Sequence, residues 1–175
     1  MKRLILLRHA KSSWSEDGLP DSERPLSGRG ERDAPRMGAR LHQRGIRPDL
    51  VLSSPALRAR RTATLVARAL DYHDDAIRLD ARLYLATPME ILAVVAEQAD
   101  TLDCLVVVGH NPGFTELTNL LLPELELANL PTAGTVVVDC ATDDRQARQA
   151  HAPAAVACAP ARAGQSAVAL PEFFG

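Results

Sequence analysis

Apolar residues along this chain fall into two alternating patterns: short unbroken runs, and longer stretches where they recur every three or four positions. The runs are Leu4-Ile5-Leu6-Leu7, Leu50-Val51-Leu52 and Cys104-Leu105-Val106-Val107-Val108, with 135–139 as a later one. A run without polar alternation predicts a strand buried on both faces. The first strand is read at 2–7, the second at 50–53, the central one at 104–108, and a brief one at 77–79. Between them the period is helical. Ser27 caps a helix to about Gly45, with Met37 and Leu41 on one face, and Pro55 or Ala56 opens an Ala- and Arg-rich helix to Leu70. In Thr87-Pro88-Met89-Glu90 the Thr is a cap, Pro takes the first helical position and Glu closes a capping box, predicting a helix to about Gln98. A further helix spans 114–122. The tail from Ala141 is rich in Ala and Pro, with 155–158 as a candidate edge strand. Alternating strands and helices predict a three-layer α/β/α sandwich around a mostly parallel sheet, in one domain of residues 1–175 whose tail after about 140 carries little pattern.

The residues just beyond each strand matter more than the strands themselves. The first strand ends in Arg8-His9, the second leads through Ser53-Ser54-Pro55-Ala56-Leu57 to Arg58 at a helix start, and the central one precedes Gly109-His110-Asn111 and another helix. Parallel strands share a carboxyl edge, where open α/β sheets bind ligands. Helix N-termini there add N–H donors and partial positive charge. Arginine offers a planar fork for phosphate oxygens, and a histidine ring nitrogen can attack phosphorus near neutral pH. Arg8, His9, Arg58 and His110 therefore predict a phosphate pocket under the polar 12–25 loop. Arg58 is singled out from Arg60, Arg61 and Arg68 because it alone lies in the first helical turn. Thr62, one turn on, shares its face and packs on the core or orients a neighbour.

Composition narrows the choices. The chain has 175 residues, 46% of them apolar and 24% charged, which suits a globular fold. Aromatics are 3% and the net charge is -2, so neither stacking on single-stranded nucleic acid nor attraction to DNA or membrane is expected. Cys104, Cys140 and Cys158 form no Cys-x-x-Cys pair and read as small core hydrophobes. The start imitates a signal peptide, but its apolar run stops at Arg8-His9, and no run reaches membrane-spanning length; a cytoplasmic protein is expected. There is no Gly-x-x-x-x-Gly-Lys-Ser/Thr loop, no Gly-x-Gly-x-x-Gly after the first strand and no His-Glu-x-x-His, so neither metal nor cofactor is expected. His42, His73 and His151 read as surface residues.

At these motifs the sequence resembles the histidine phosphatase superfamily, with its phosphoglycerate mutase-like fold. Leu7-Arg8-His9-Ala10 corresponds to the Arg-His-Gly signature, with Ala10 for Gly. The 53–62 segment resembles the second arginine motif, and Gly109-His110-Asn111 the second histidine motif. Arg8 to Trp14, Arg24-Pro25-Leu26-Ser27-x-x-Gly30 and Gly109-His110-Asn111-Pro112-Gly113 look most like the small SixA-like phosphohistidine phosphatase branch. The resemblance implies that His9 is the phosphorylated nucleophile and that Arg8, Arg58 and a protonated His110 hold the phosphoryl oxygens. Ser12 and Asn111 are implied as further phosphate contacts.

Two departures bear on substrate. Larger members carry an acidic general acid soon after the third strand, where this chain holds Tyr84; Asp80, Asp17 and Asp21 are the other carboxyls able to supply a proton. Ser15 stands where mutase-like relatives often carry Asn. An alkoxide needs a proton to leave, and general-acid help is worth ~10²–10⁴-fold, whereas imidazole leaves far more readily from an N–P bond. A phosphohistidine on a phosphotransfer or phosphorelay protein is thus the favoured substrate. The alternatives are a small-molecule phosphomonoesterase on the same scaffold and a phosphate-binding regulator without turnover.

Overall fold

The computed structural model describes residues 3–15, 18–98, 101–140 and 168–169. Among them, β1 (Arg3–Arg8), β2 (Leu50–Ser53), β3 (Arg78–Leu79), β4 (Cys104–Gly109), β5 (Thr135–Asp139) and β6 (Val168–Ala169) form one sheet in the order β3-β2-β4-β1-β5-β6. The first four strands are mutually parallel, β5 runs antiparallel to β1, and β6 antiparallel to β5. Among the described residues four α-helices cover the sheet: α1 (Gly28–Gln43), α2 (Leu57–Ala69), α3 (Pro88–Ala96) and α4 (Gly113–Leu121). The mixed α/β fold is the one expected.

Side-chain alternation divides each apolar run between two cores. Leu4 and Leu6 of β1 join Leu105 and Val107 of β4, packing against Ile91 and Val94 of α3 and Phe114 and Leu117 of α4. Ile5 and Leu7 join Val106 and Val108 on the opposite face, against Met37 and Leu41 of α1 and Ala63 and Val66 of α2. That two-sided burial is why the runs show no polar interruption. Gly38 lets α1 and α2 approach closely, since a Cβ there would stand 2.6 Å from the Ala69 methyl.

The predicted caps form as hydrogen bonds. Ser27 Oγ accepts from the Gly30 amide at 3.2 Å, and Gly45, just past the end of α1, takes φ +75°. Glu90 Oε2 accepts from the Thr87 amide at 2.8 Å while Thr87 Oγ accepts from the Glu90 amide at 3.4 Å, completing the capping box. Helix boundaries differ from the expected ones by at most two residues, and the brief strand shortens to β3. The candidate edge strand at 155–158, His151 and Cys158 lie outside the described residues. Cys104 is a free, buried thiol, as expected, whereas Cys140 is disulfide-bonded and not the unpaired core hydrophobe expected of it. Among the described residues no helix is long and apolar enough to cross a membrane.

Register brings the motifs together. Arg8 pairs with Gly109 across β1 and β4, and Ser53 with Val108 across β2 and β4. The chain stays locked just beyond these pairs: the His9 amide donates to the Gly109 carbonyl at 3.0 Å and the Ser54 amide to the Val108 carbonyl at 2.9 Å. Three strand ends therefore finish level, within adjacent positions of one sheet edge.

Candidate active site

His9, Arg58 and His110 are brought together at that edge, only 8%, 4% and 2% exposed. The His9 and His110 ring centroids are 5.1 Å apart. Arg58 lies between them, its Nε donating to His9 Nε2 and its Nη2 to His110 Nδ1, both at 3.4 Å. Arg8, half-buried, completes the group from the end of β1.

The second partners of each ring fix the tautomers. His9 Nδ1 lies 2.8 Å from the Ala10 carbonyl, which can only accept, so Nδ1 carries the proton and Nε2 the lone pair that accepts from Arg58 Nε. His110 Nδ1 faces a guanidinium that can only donate, so its proton sits on Nε2 and is given to Ser54 Oγ at 2.8 Å. Thr62 is the orienting residue its position suggested: its hydroxyl donates to the Arg58 carbonyl at 2.7 Å and accepts from the Ala10 amide at 3.0 Å. It thus ties the start of α2 to the segment carrying His9.

Glycines make the last motif possible. A Cβ on Gly109 would stand 2.7 Å from the Phe114 ring, and one on Gly113 would overlap the Ala86 carbonyl oxygen. Both residues let the strand-to-helix turn sink until His110 reaches the pocket. Neither α2 nor α4 has a side-chain cap, which leaves their first amides without a side-chain acceptor at the sheet edge.

Arg8 Nη1 donates to the Leu130 carbonyl at 2.6 Å and to Asn129 Oδ1 at 3.3 Å, while its Nε is a buried donor with no partner among the described residues. Asn111 Nδ2 donates to the same two groups, at 3.0 and 2.9 Å, and so braces the segment that holds Arg8. Ser12 Oγ accepts from Arg24 Nη2 at 2.8 Å, its bonded partner being that arginine, not the histidine pair. Of the six site residues expected, His9, Arg58 and His110 stand in contact, Arg8 lies at the adjoining strand end, and the side chains of Ser12 and Asn111 hold neighbours in place.

Asp21 was legible only as one of three carboxyls, and its position is new. Its Oδ2 accepts from Arg58 Nη2 and from Tyr84 Oη, both at 2.7 Å, and its Oδ1 from Arg24 Nη1 at 3.0 Å. Its backbone carbonyl also accepts from Arg58 Nη1. Burial works against the charge, but these donors prevail and hold the carboxyl at about 2. Asp21 is therefore ionised at neutral pH and has no proton to give. Asp80 caps the Ala81–Leu83 turn and pairs with Arg82 at 2.7 Å, and Asp17 lies outside the described residues. Tyr84 stands edge-on to His110, centroids 5.4 Å apart. The Arg24 guanidinium lies 3.2 Å over the Trp14 ring, pinning the loop.

Burial, reinforced by the neighbouring arginines, lowers His9 to about 4; burial, His9 and the arginines lower His110 to about 3. Burial beside His9 and Arg58 thus favours a neutral His110, where a protonated ring was expected to hold phosphate. An oxyanion taking the place of the Arg58 contact would favour protonation at Nδ1. The linkage has a definite sign. Unfolded, both rings protonate near 6.5; folded, they resist until about 4 and 3. The unfolded chain then binds more protons in between, so stability falls as pH drops through that window. Melts from pH 7 to 5 should show a falling midpoint, with a shallower slope in His110→Gln. Equal slopes in the two proteins would contradict this.

The sequence signature of the histidine phosphatase superfamily (branch 1) matches residues 4–84. SixA from Agrobacterium tumefaciens superimposes with a TM-score of 0.71 at 33% identity, over 79% of this chain and 90% of that one. The chain belongs to the histidine phosphatase superfamily. A chloroplastic Arabidopsis thaliana protein, At3g52155, is 36% identical over 128 residues, 69% of this chain; the chain spans 59% of that protein. The protein histidine phosphatase SixA complexed with tungstate shares the fold, with a TM-score of 0.67 at 22% identity over 79% of this chain and 88% of that chain. The phosphatase assignment agrees with the chemistry of the site: two guanidinium groups beside a histidine pair whose His9 ring is held neutral.

Proposed function

We propose that this protein removes phosphate from phosphohistidine on a phosphotransfer protein, through a transient phosphohistidine on His9 and without a metal ion. The observation that carries this reading is the ionised Asp21. The carboxylate standing at the site is held by three donors and cannot protonate an alkoxide, so a substrate whose leaving group is an imidazole suits the site best. Similarity to SixA supports the same substrate class.

The tautomers set the chemistry. His9 Nε2 attacks phosphorus while Nδ1–H stays on the Ala10 carbonyl, so the ring gains positive charge where a carbonyl dipole can stabilise it. Arg58, the unpartnered Arg8 Nε and the pocket-facing edge of His110 surround the phosphoryl oxygens. Phosphoryl transfer asks mainly for such positioning and charge stabilisation, which two arginines can supply. Water then releases phosphate from His9.

The test compares a phosphohistidine peptide, an aryl phosphate and a sugar phosphate on the purified protein, with and without chelator. The peptide should show the highest kcat/KM, unchanged by chelator. A preference for the sugar phosphate would favour a small-molecule phosphomonoesterase. Binding of phosphate with no turnover of any substrate would indicate a regulator.

A further inference from the structure

An anionic side chain at the mouth of a phosphate pocket needs a reason, because it repels the substrate. Asp21 is tied to Arg58, Arg24 and Tyr84, yet its side chain stays 45% exposed. A carboxylate offers about four acceptor positions. Two on Oδ2 and one on Oδ1 are filled, which leaves one acceptor position on Oδ1.

Its placement relative to the reaction is informative. His9, Arg8 and His110 rise from the sheet edge and form the pocket floor. In-line displacement puts the leaving group opposite His9, away from the sheet. Asp21 is bonded to Arg58 and to Tyr84, which stands edge-on to His110 and lines an open cleft of about 820 Å³ with Leu19, Pro25, Pro55 and Leu57.

Resting on the phosphohistidine reading above, we propose that Asp21 is the acceptor for the leaving imidazole, taking the ring N–H of the nitrogen not bonded to phosphorus. A carboxylate there favours the protonated ring, the form that departs as neutral imidazole. The balance is simple. The bond from His9 Nε2 to phosphorus forms, the substrate N–P bond breaks, and its electron pair stays on the departing nitrogen. The proton on the other ring nitrogen stays in place throughout, hydrogen-bonded to Asp21. No general acid is required, which is why a fully ionised carboxylate serves. An alkyl ester, with no second nitrogen to hold a proton, gains nothing from Asp21 and meets only its repulsion. Asp21 thereby becomes a specificity-determining residue.

The experiment measures kcat/KM for a phosphohistidine peptide and for p-nitrophenyl phosphate in wild type, Asp21→Asn and Asp21→Glu. The ratio of peptide to aryl phosphate should fall at least ~10-fold in Asp21→Asn and recover partly in Asp21→Glu. With the peptide, kcat should decline at high pH as the bound imidazole loses its proton, and this limb should lie about one unit lower in Asp21→Asn. Arg24, Arg58, Tyr84, His9 and His110 face Asp21; a limb belonging to any of them would also appear with p-nitrophenyl phosphate, which has no ring proton. Parallel loss on both substrates, or limbs shared by both, would reduce Asp21 to a residue that merely orients Arg58, while the phosphohistidine reading survived. A wild-type enzyme that hydrolyses p-nitrophenyl phosphate but leaves the peptide intact would remove that reading and the role of Asp21 with it.

Discussion

His9→Ala is expected to lower kcat on a phosphohistidine peptide by roughly 10⁴-fold or more, the scale seen when a covalent nucleophile is removed. Phosphate binding should largely persist, because Arg8, Arg58 and His110 are held by other groups: Leu130 and Asn129, the α2 backbone through Thr62, and Ser54. The loss should thus fall on kcat while inorganic phosphate still inhibits competitively. Rapid base quench of the wild-type enzyme during turnover should trap phosphate on His9 in a base-stable, acid-labile form. Label on a serine or cysteine, or a rate unchanged by the substitution, would overturn the mechanism. Burial adds a second expectation: His9 titrates at about 4, so the free nucleophile is neutral over the whole physiological range. The acid limb of kcat/KM should lie well below the 6.5 of an ordinary histidine.

The parts of this site that were legible in sequence are those dictated by short-range rules. Continuous apolar runs mark buried strands, and residues just beyond them fall at the sheet edge. Arg8, His9, Arg58 and His110 each lie within five residues of a strand end, so parallel register alone suffices to gather them. Thr62 was placed by helix periodicity. Asp21 and Tyr84 were not, because they meet across 63 positions through a loop with no period. Nothing local distinguishes Asp21 from Asp17 or Asp80; only the loop path, fixed by Arg24 on Trp14 and the Ser12–Leu26 bridge, does so. Protonation states were equally hidden, since the neutrality of His110 arises from its burial beside Arg58. The antiparallel direction of β5 likewise depends on its connection, not its composition.

Arg58→Ala should cost between roughly 10³- and 10⁵-fold in kcat, the range for arginines that stabilise phosphoryl transfer. Among the described residues, Arg58 is the single side chain bonded to both histidines and to Asp21, and four of its five N–H donors are engaged. Lysine should rescue little, because a point charge cannot span His9 Nε2 and His110 Nδ1 as a planar fork does. Added guanidinium ion should restore part of the rate in the alanine variant, where a matching concentration of alkylammonium should not. The pH profile supplies an independent check. Burial is the largest cause of the lowered His9 and His110 values, but the Arg58 charge depresses both further. Removing that charge lets both rings protonate at higher pH, so the acid limb of kcat/KM should move upward toward neutrality. An arginine that only supported the fold would give a protein of lower melting temperature with its acid limb unmoved. That limb therefore separates a residue acting on the phosphoryl group and its nucleophile from one acting on the scaffold.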